Sequence, residues 1–377
     1  MKNKLTSLQA LRGVAAISVM LFHYRFSLRA GDNSGTTIWD SLFSWGIIGV
    51  DVFFVISGFI MFYTTQNYRQ GIASTKHFLL NRAIRIVPLY YFGLLIAFLF
   101  GGAMSTFHYP SKVQTLISAL TFTVNNISVK PHYINDAGMY NIRWTLNYEI
   151  YFYIVFAVCL LMKHRILALA CWGCIVTFII PSIAGFAPTI SVQGYAFQTP
   201  TIAFLTNPLL LEFLIGVFAG YIYIQFKKHI LSTKLPIISI IIAFCLLAYI
   251  IYGIYSNRIV ALNLGSTAII GFFVLFLTLG ESILNPYIPR ALIYIGDISF
   301  SLYLLHNPII IAVKKLIGPI GESATRGIFV VIVAMLLSVL ISHLTHKYIE
   351  ISLTRKLKSK LTPAKNQNHT TQVDLAN

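Results

Sequence analysis

The sequence predicts an all-α fold: a polytopic membrane protein of about ten transmembrane helices with both termini in the cytoplasm. Three observations predict it. Of 377 residues, 57% are hydrophobic and 10% charged, whereas a soluble domain covers its surface with roughly a quarter charged residues. The apolar residues gather in blocks of about 20, the length that crosses a hydrocarbon core of about 30 Å. With the N-terminus inside, 19 of the 28 Lys and Arg fall on the cytoplasmic side and 9 on the outer side, the asymmetry that orients membrane helices.

The blocks place spans at 11–27, 46–65, 86–104, 144–162, 166–183, 208–226, 235–253, 262–280, 291–313 and 327–349. The first carries Arg12 and His23 and lacks a small-residue cleavage site, so it reads as a retained span and not as a signal peptide. The second and sixth, entered from outside, carry Asp51 and Glu212 in their opening turns. The third follows the basic stretch Lys76–Arg85 and Pro88. Segment 113–124 is apolar but short and runs into Asn125 and Asn126, which suits a re-entrant or interfacial helix. The fourth opens on Trp144 and soon meets Glu149, and the ninth holds Asp297, His306 and Pro308. The outer segment 184–207 has no charged residue. The division is a membrane domain over 1–350 and a basic, polar cytoplasmic tail over 351–377, expected to be disordered. Cys159, Cys171, Cys174 and Cys245 lie in apolar blocks and read as small buried residues, with no disulfide framework.

The net charge of +17 comes with no basic-aromatic stripe or zinc-ligand spacing, so nucleic acid is not the expected partner. Anionic headgroups or a phosphate-bearing substrate fit better. Ionisable residues inside spans cost roughly 2.5–3.5 kcal/mol at the bilayer centre and mark function. Here they are Arg12, His23, Asp51, Glu149, Glu212, Asp297 and His306. Arg12 and His23 are eleven residues apart, hence on one helix face and roughly 16 Å apart along the axis. His23, Asp51, Glu149, Glu212 and His306 are expected in one outer-half layer. Arg82 and Arg85, spaced i, i+3, share a face at the cytoplasmic side, and paired guanidinium forks suit phosphate. No His/Cys/Asp cluster has metal-ligand spacing.

These residues also fall in a recognisable order. Arg12-Gly13 with His23, Gly49-Val-Asp51 running to Ser57-Gly58-Phe59, Arg82-Ala-Ile-Arg85 with Pro88, and Trp144-Thr-Leu-Asn-Tyr-Glu149 are four elements of the series. Glu212-Phe-Leu-Ile-Gly216, Gly296-Asp297 running to His306, and Tyr348-Ile-Glu350 complete it. The series resembles acyltransferase family 3, the multi-span O-acyltransferases of bacterial and some animal membranes, from residue 8 to about 350.

The resemblance implies an O-acetyltransferase of the bacterial inner membrane. Its donor would be cytoplasmic acetyl-CoA, and its acceptor a hydroxyl of a cell-surface glycan, such as O-antigen or exopolysaccharide, free or lipid-linked. Arg12, Arg82 and Arg85 would bind the acyl-CoA, Arg82 and Arg85 holding its phosphates and the pantetheine arm reaching inward past Arg12. His23 would be the general base, since imidazole titrates near neutral pH, with Asp51 or Glu149 orienting it and His306 as a rival base or relay. Trp144 and Glu212 would meet the acceptor. Ser57 and Ser299 are available for an acyl-enzyme but read as packing residues. The alternative is a polytopic glycan or small-molecule exporter, against which the sequence shows no inverted repeat.

Overall fold

The computed structural model describes residues 5–29, 37–124, 140–227, 234–317 and 324–361. The positions of Asn125, Asn126 and Lys130, and the tail beyond Leu361, lie outside the described residues.

The main helices, numbered here in chain order with single turns left unlabelled, are α1 Thr6–Tyr24, α2 Gly49–Thr65, α3 Ile72–Gly101, α4 Pro110–Thr121, α5 Arg143–Cys159 and α6 Arg165–Cys174. They continue as α7 Leu210–Phe226, α8 Leu235–Tyr255, α9 Leu264–Leu279, α10 Arg290–Asp297, α11 Ser299–Ile317 and α12 Ala324–Thr345. No strand occurs among the described residues. Among the described residues seven helical stretches are long and apolar enough to cross a membrane, or eight if the pair Leu264–Leu279 and Glu281–Tyr287, bent by 62°, is one span. α1 is not among the seven, because Gln9, Arg12 and His23 dilute its hydropathy. Each expected span is nonetheless occupied by helix.

Four boundaries differ from the sequence expectation. α3 begins at Ile72, so Arg82 and Arg85 stand inside the helix, which also runs through Pro88. The block 291–313 is broken at Ile298 into α10 and α11. The short segment near 113 is a 12-residue helix with Pro110 in its first turn, about 18 Å long and too short to span. The C-terminal segment, expected to be disordered from 351, is helical through a π-type stretch His346–Leu353 and a final turn Thr354–Leu361.

α2 and α7 form the most extensive pair; α1 lies against α10, α11 and α2, and α11 against α3 and α12. α2 and α7 are mostly buried, whereas α6 and α8 expose apolar faces such as Ile237, Ile241 and Phe244, the surface that meets lipid. Close approach is set by glycine. A Cβ on Gly58 would stand 2.1 Å from the Phe213 carbonyl oxygen, and one on Gly216 would stand 2.0 Å from that of Val55. Without a hydrophobic drive between helices in lipid, such small-residue contacts hold a bundle together. Gly296 does the same for α1 and α10: its Cβ would lie 1.9 Å from the Gln9 carbonyl oxygen.

Pro308 stands inside α11 and cannot donate to the Leu304 carbonyl one turn back. The Tyr140 hydroxyl donates to that carbonyl instead, at 2.7 Å. Tyr24 donates to the His306 carbonyl at 2.8 Å and shares a 2.7 Å bond with Ser338. Two buried tyrosines thus satisfy the backbone around His306.

Candidate active site

Between α1, α2, α3, α5 and α11 lies a cleft that is partly open to solvent. Its lining includes Arg12, Arg82, Arg85, Glu149, Ser57, Tyr153 and Tyr303. The lining therefore carries three guanidiniums against one carboxylate. The remainder is mostly apolar, including Phe53, Phe54 and Phe300.

The cations are held loosely by protein. Arg82 lies over the rings of Phe78 and Tyr153, at 5.4 and 5.3 Å, and Arg85 over Phe300 at 5.5 Å. Arg12 donates to the Gln9 side-chain oxygen at 2.9 Å. Among the described residues none of the three has a carboxylate oxygen within 4.0 Å. Glu149 accepts from Ser57 Oγ at 3.0 Å and from the Tyr153 hydroxyl. Behind Arg85, Glu350 accepts from Ser301 and faces His346. Stacked, fork-shaped cations with unspent N–H donors are suited to a planar or tetrahedral anion.

At the opposite end of the cleft the Tyr303 hydroxyl bonds Thr145 at 2.7 Å, and its ring lies 6.0 Å from that of His306. The His306 ring in turn lies 5.2 Å from His23. His306 is fully buried, and its Nδ1 lies 3.2 Å from the Leu302 carbonyl oxygen. A carbonyl only accepts, so Nδ1 carries the proton and Nε2 keeps its lone pair. Nε2 has no hydrogen-bond partner among the described residues. His23 is half-buried.

The expected single layer of ionisable residues is therefore three groups. His23 and His306 come together. Glu149 instead joins the arginines, because α5 begins inside the protein at the fully buried Arg143, which bonds Ser118 and the Thr123 carbonyl. Asp51 and Glu212 form a third group, both fully buried. Asp51 Oδ1 accepts from Leu262 N at 2.8 Å and Thr267 Oγ1 at 3.0 Å, holding Leu262 at the left-handed φ of 55°. The two carboxyls are neighbours, and Asp51 Oδ2 and both Glu212 oxygens have no hydrogen-bond partner among the described residues. Since carboxylates only accept, a bond between them requires one proton. In this arrangement neither Asp51 nor Glu149 touches His23; the group beside it is His306. Nor does Glu212 face the outside. Trp144 is 8% exposed and packs edge-on against Phe54 at 6.3 Å, so its indole is part of the core.

Sequence reasoning missed Gln9, Tyr24 and the pairing of Tyr153 with Glu149. The i, i+3 spacing of Gln9 and Arg12 and the i, i+4 spacing of Glu149 and Tyr153 carry that signal. Tyr24 offers none, since its partners are in α11 and α12. Among the described residues no group of three or more His, Cys, Asp or Glu is placed to hold a metal ion.

The family model described as an acyltransferase domain matches residues 5–343. The exopolysaccharide production protein ExoZ of Rhizobium meliloti is 30% identical over 329 residues, covering 85% of this chain and 94% of that protein. The O-acetyltransferase OatA of Staphylococcus aureus is 24% identical, covering 93% of this chain and 57% of that protein. The peptidoglycan O-acetyltransferase OatA of Listeria monocytogenes is 26% identical over 41% of this chain and 24% of its own length. No solved structure matches. Among the described residues seven or eight helices are long and apolar enough to cross a membrane, and with this match over nearly the whole chain they lead to one assignment: the chain is a multi-pass membrane enzyme that belongs to acyltransferase family 3.

Proposed function

We propose that this enzyme transfers acetyl from acetyl-CoA, bound from the cytoplasm, to a hydroxyl of a cell-surface polysaccharide. The observation that carries the reading is the cleft itself: three guanidiniums at one end, two neighbouring imidazoles beyond the other. The reading includes ten spans, cytoplasmic termini and residence in the bacterial inner membrane, which places the arginine end inside. Relatives named for exopolysaccharide production and for peptidoglycan O-acetylation support a glycan acceptor.

In this mechanism Arg12, Arg82 and Arg85 bind the phosphates of the donor. The apolar wall of Phe53, Phe54 and Phe300 takes the thioester arm. His23, half-buried and so open to an acceptor, removes the hydroxyl proton as the oxygen attacks the thioester carbon. The carbon–sulfur bond then breaks, and the thiolate leaves with a proton. His306, with its lone pair on Nε2, is the neighbour that holds or passes that proton. It takes the orienting part that the sequence offered to Asp51 or Glu149. The Tyr303 hydroxyl, which here donates to Thr145 Oγ1, becomes a donor for the oxyanion of the tetrahedral intermediate by turning from that partner.

Glycan NMR on matched cells with and without the gene tests the reading. The expected result is an O-acetyl signal that vanishes on deletion, returns with the wild-type gene and stays absent with His23→Ala at equal membrane levels. Unchanged acyl content with altered glycan export would favour a transporter and overturn it. Full O-acetylation by His23→Ala would overturn the base assignment alone.

A further inference from the structure

Arg12 is a buried cation of the cleft, and the side chain it bonds is not a carboxylate but the amide of Gln9. The other end of that amide donates to Asp297 Oδ1, at 2.8 Å. Chemistry fixes the amide's orientation. A guanidinium has only donors, so the oxygen must face Arg12; a carboxylate only accepts, so the NH₂ must face Asp297. Gln9 is itself 6% exposed. The arrangement depends on Gly296: with no Cβ, it lets the Gln9 backbone meet α10, which brings the neighbouring Asp297 within reach of the amide. Gly13 sits at the same crossing, where a Cβ would lie 2.9 Å from the Gly296 nitrogen.

We propose that Gln9 is a positioning residue, a neutral amide that fixes the Arg12 guanidinium in the cleft while keeping Asp297 from pairing with it. This rests on the reading that the cleft binds the anionic donor. A buried Arg–carboxylate pair would consume the fork; the amide uses one N–H and leaves the others for phosphate. An acid at position 9 would do the opposite. It would close an ion pair with Arg12 and set a second carboxylate against Asp297.

That double consequence gives the test. The full-length protein is purified in lipid nanodiscs as wild type, Gln9→Glu, and Gln9→Glu with Asp297→Asn. Melting temperature, CoA binding by calorimetry, and KM and kcat for acetyl-CoA are measured for each. Gln9→Glu is expected to weaken CoA binding and raise KM about tenfold or more, the loss of one charge-assisted contact, with kcat within about threefold. Its melting temperature should also fall. Asp297→Asn removes the carboxylate repulsion and should restore the melting temperature but not KM. Restoration of both would make Gln9 a merely structural residue and overturn the inference, as would an unchanged KM in Gln9→Glu. A wild-type protein that binds no CoA would overturn the donor reading, and the inference with it.

Discussion

Replacing Gly216 by Ala tests the packing that underlies the bundle. The new Cβ would lie 2.0 Å from the Val55 carbonyl oxygen, and the obstacle is backbone, with no side chain free to swing aside. Restoring ordinary contact at about 3.4 Å requires α7 and α2 to part by roughly 1.4 Å. Overpacking of this kind costs about 1–3 kcal/mol. The displacement also reaches chemistry. It pulls Glu212 from Asp51, and it shifts Ser57, next to Gly58, away from Glu149. Gly101 is the control: it ends α3 with nothing within 4 Å of a Cβ. There Ala should stabilise by about 0.4–1 kcal/mol through the unfolded chain. The assay is the melting temperature of each variant in the same detergent by fluorescence-detected size exclusion. The two variants should move in opposite directions, and Gly216→Ala should lose acyl transfer as well. A Gly216→Ala protein that melts with the wild type would refute the close crossing of α2 and α7.

Four other outcomes follow from the same contacts. Tyr140→Phe strands the Leu304 carbonyl beside Pro308 and should cost about 1–3 kcal/mol, read as a lower melting temperature with unchanged KM for the donor. Arg85→Lys should raise KM for acetyl-CoA nearly as much as Arg85→Ala, about tenfold, because an ammonium restores neither the fork nor the stacking on Phe300; steady-state kinetics measure both. Glu212→Gln should melt within about 0.5 kcal/mol of wild type, because its NH₂ can donate to Asp51. Asp51→Ala abandons the Leu262 and Thr267 donors and should cost about 1–3 kcal/mol for each.

Much of the fold was legible because membrane helices announce themselves by block length, which needs no tertiary contacts. The arginine end of the site was legible for a similar reason: Arg82 and Arg85 share a face by local spacing. The meeting of His23 with His306 was legible only as a common depth. What the sequence could not show was which helices touch. Asp51 meets Glu212 because glycines let α2 and α7 close up, and nothing local to either acid records that. Glu149 lies with the arginines because α5 starts at a buried arginine, where an apolar block implied a helix starting at the membrane surface. The break at Ile298 is invisible in hydropathy, since both halves of the block are apolar.

Besides α2, which follows it closely in the sequence, α1 has partners that lie far along the chain. Glu281 accepts from the backbone N–H groups of Thr6 and Ser7, capping the otherwise uncapped N-terminus of α1. Gln9 waits for Asp297, Gly13 for Gly296, Tyr24 for His306 and Ser338, and the Ser27 carbonyl for Gly327. For most of the chain's synthesis the helix that carries Arg12 and His23 must therefore reside in the bilayer with its polar face unmatched. Its seating is a closing event of biogenesis, made when the final third of the chain arrives. A ribosome stalled before residue 281 would leave a bundle with α2–α7 packed and no catalytic centre.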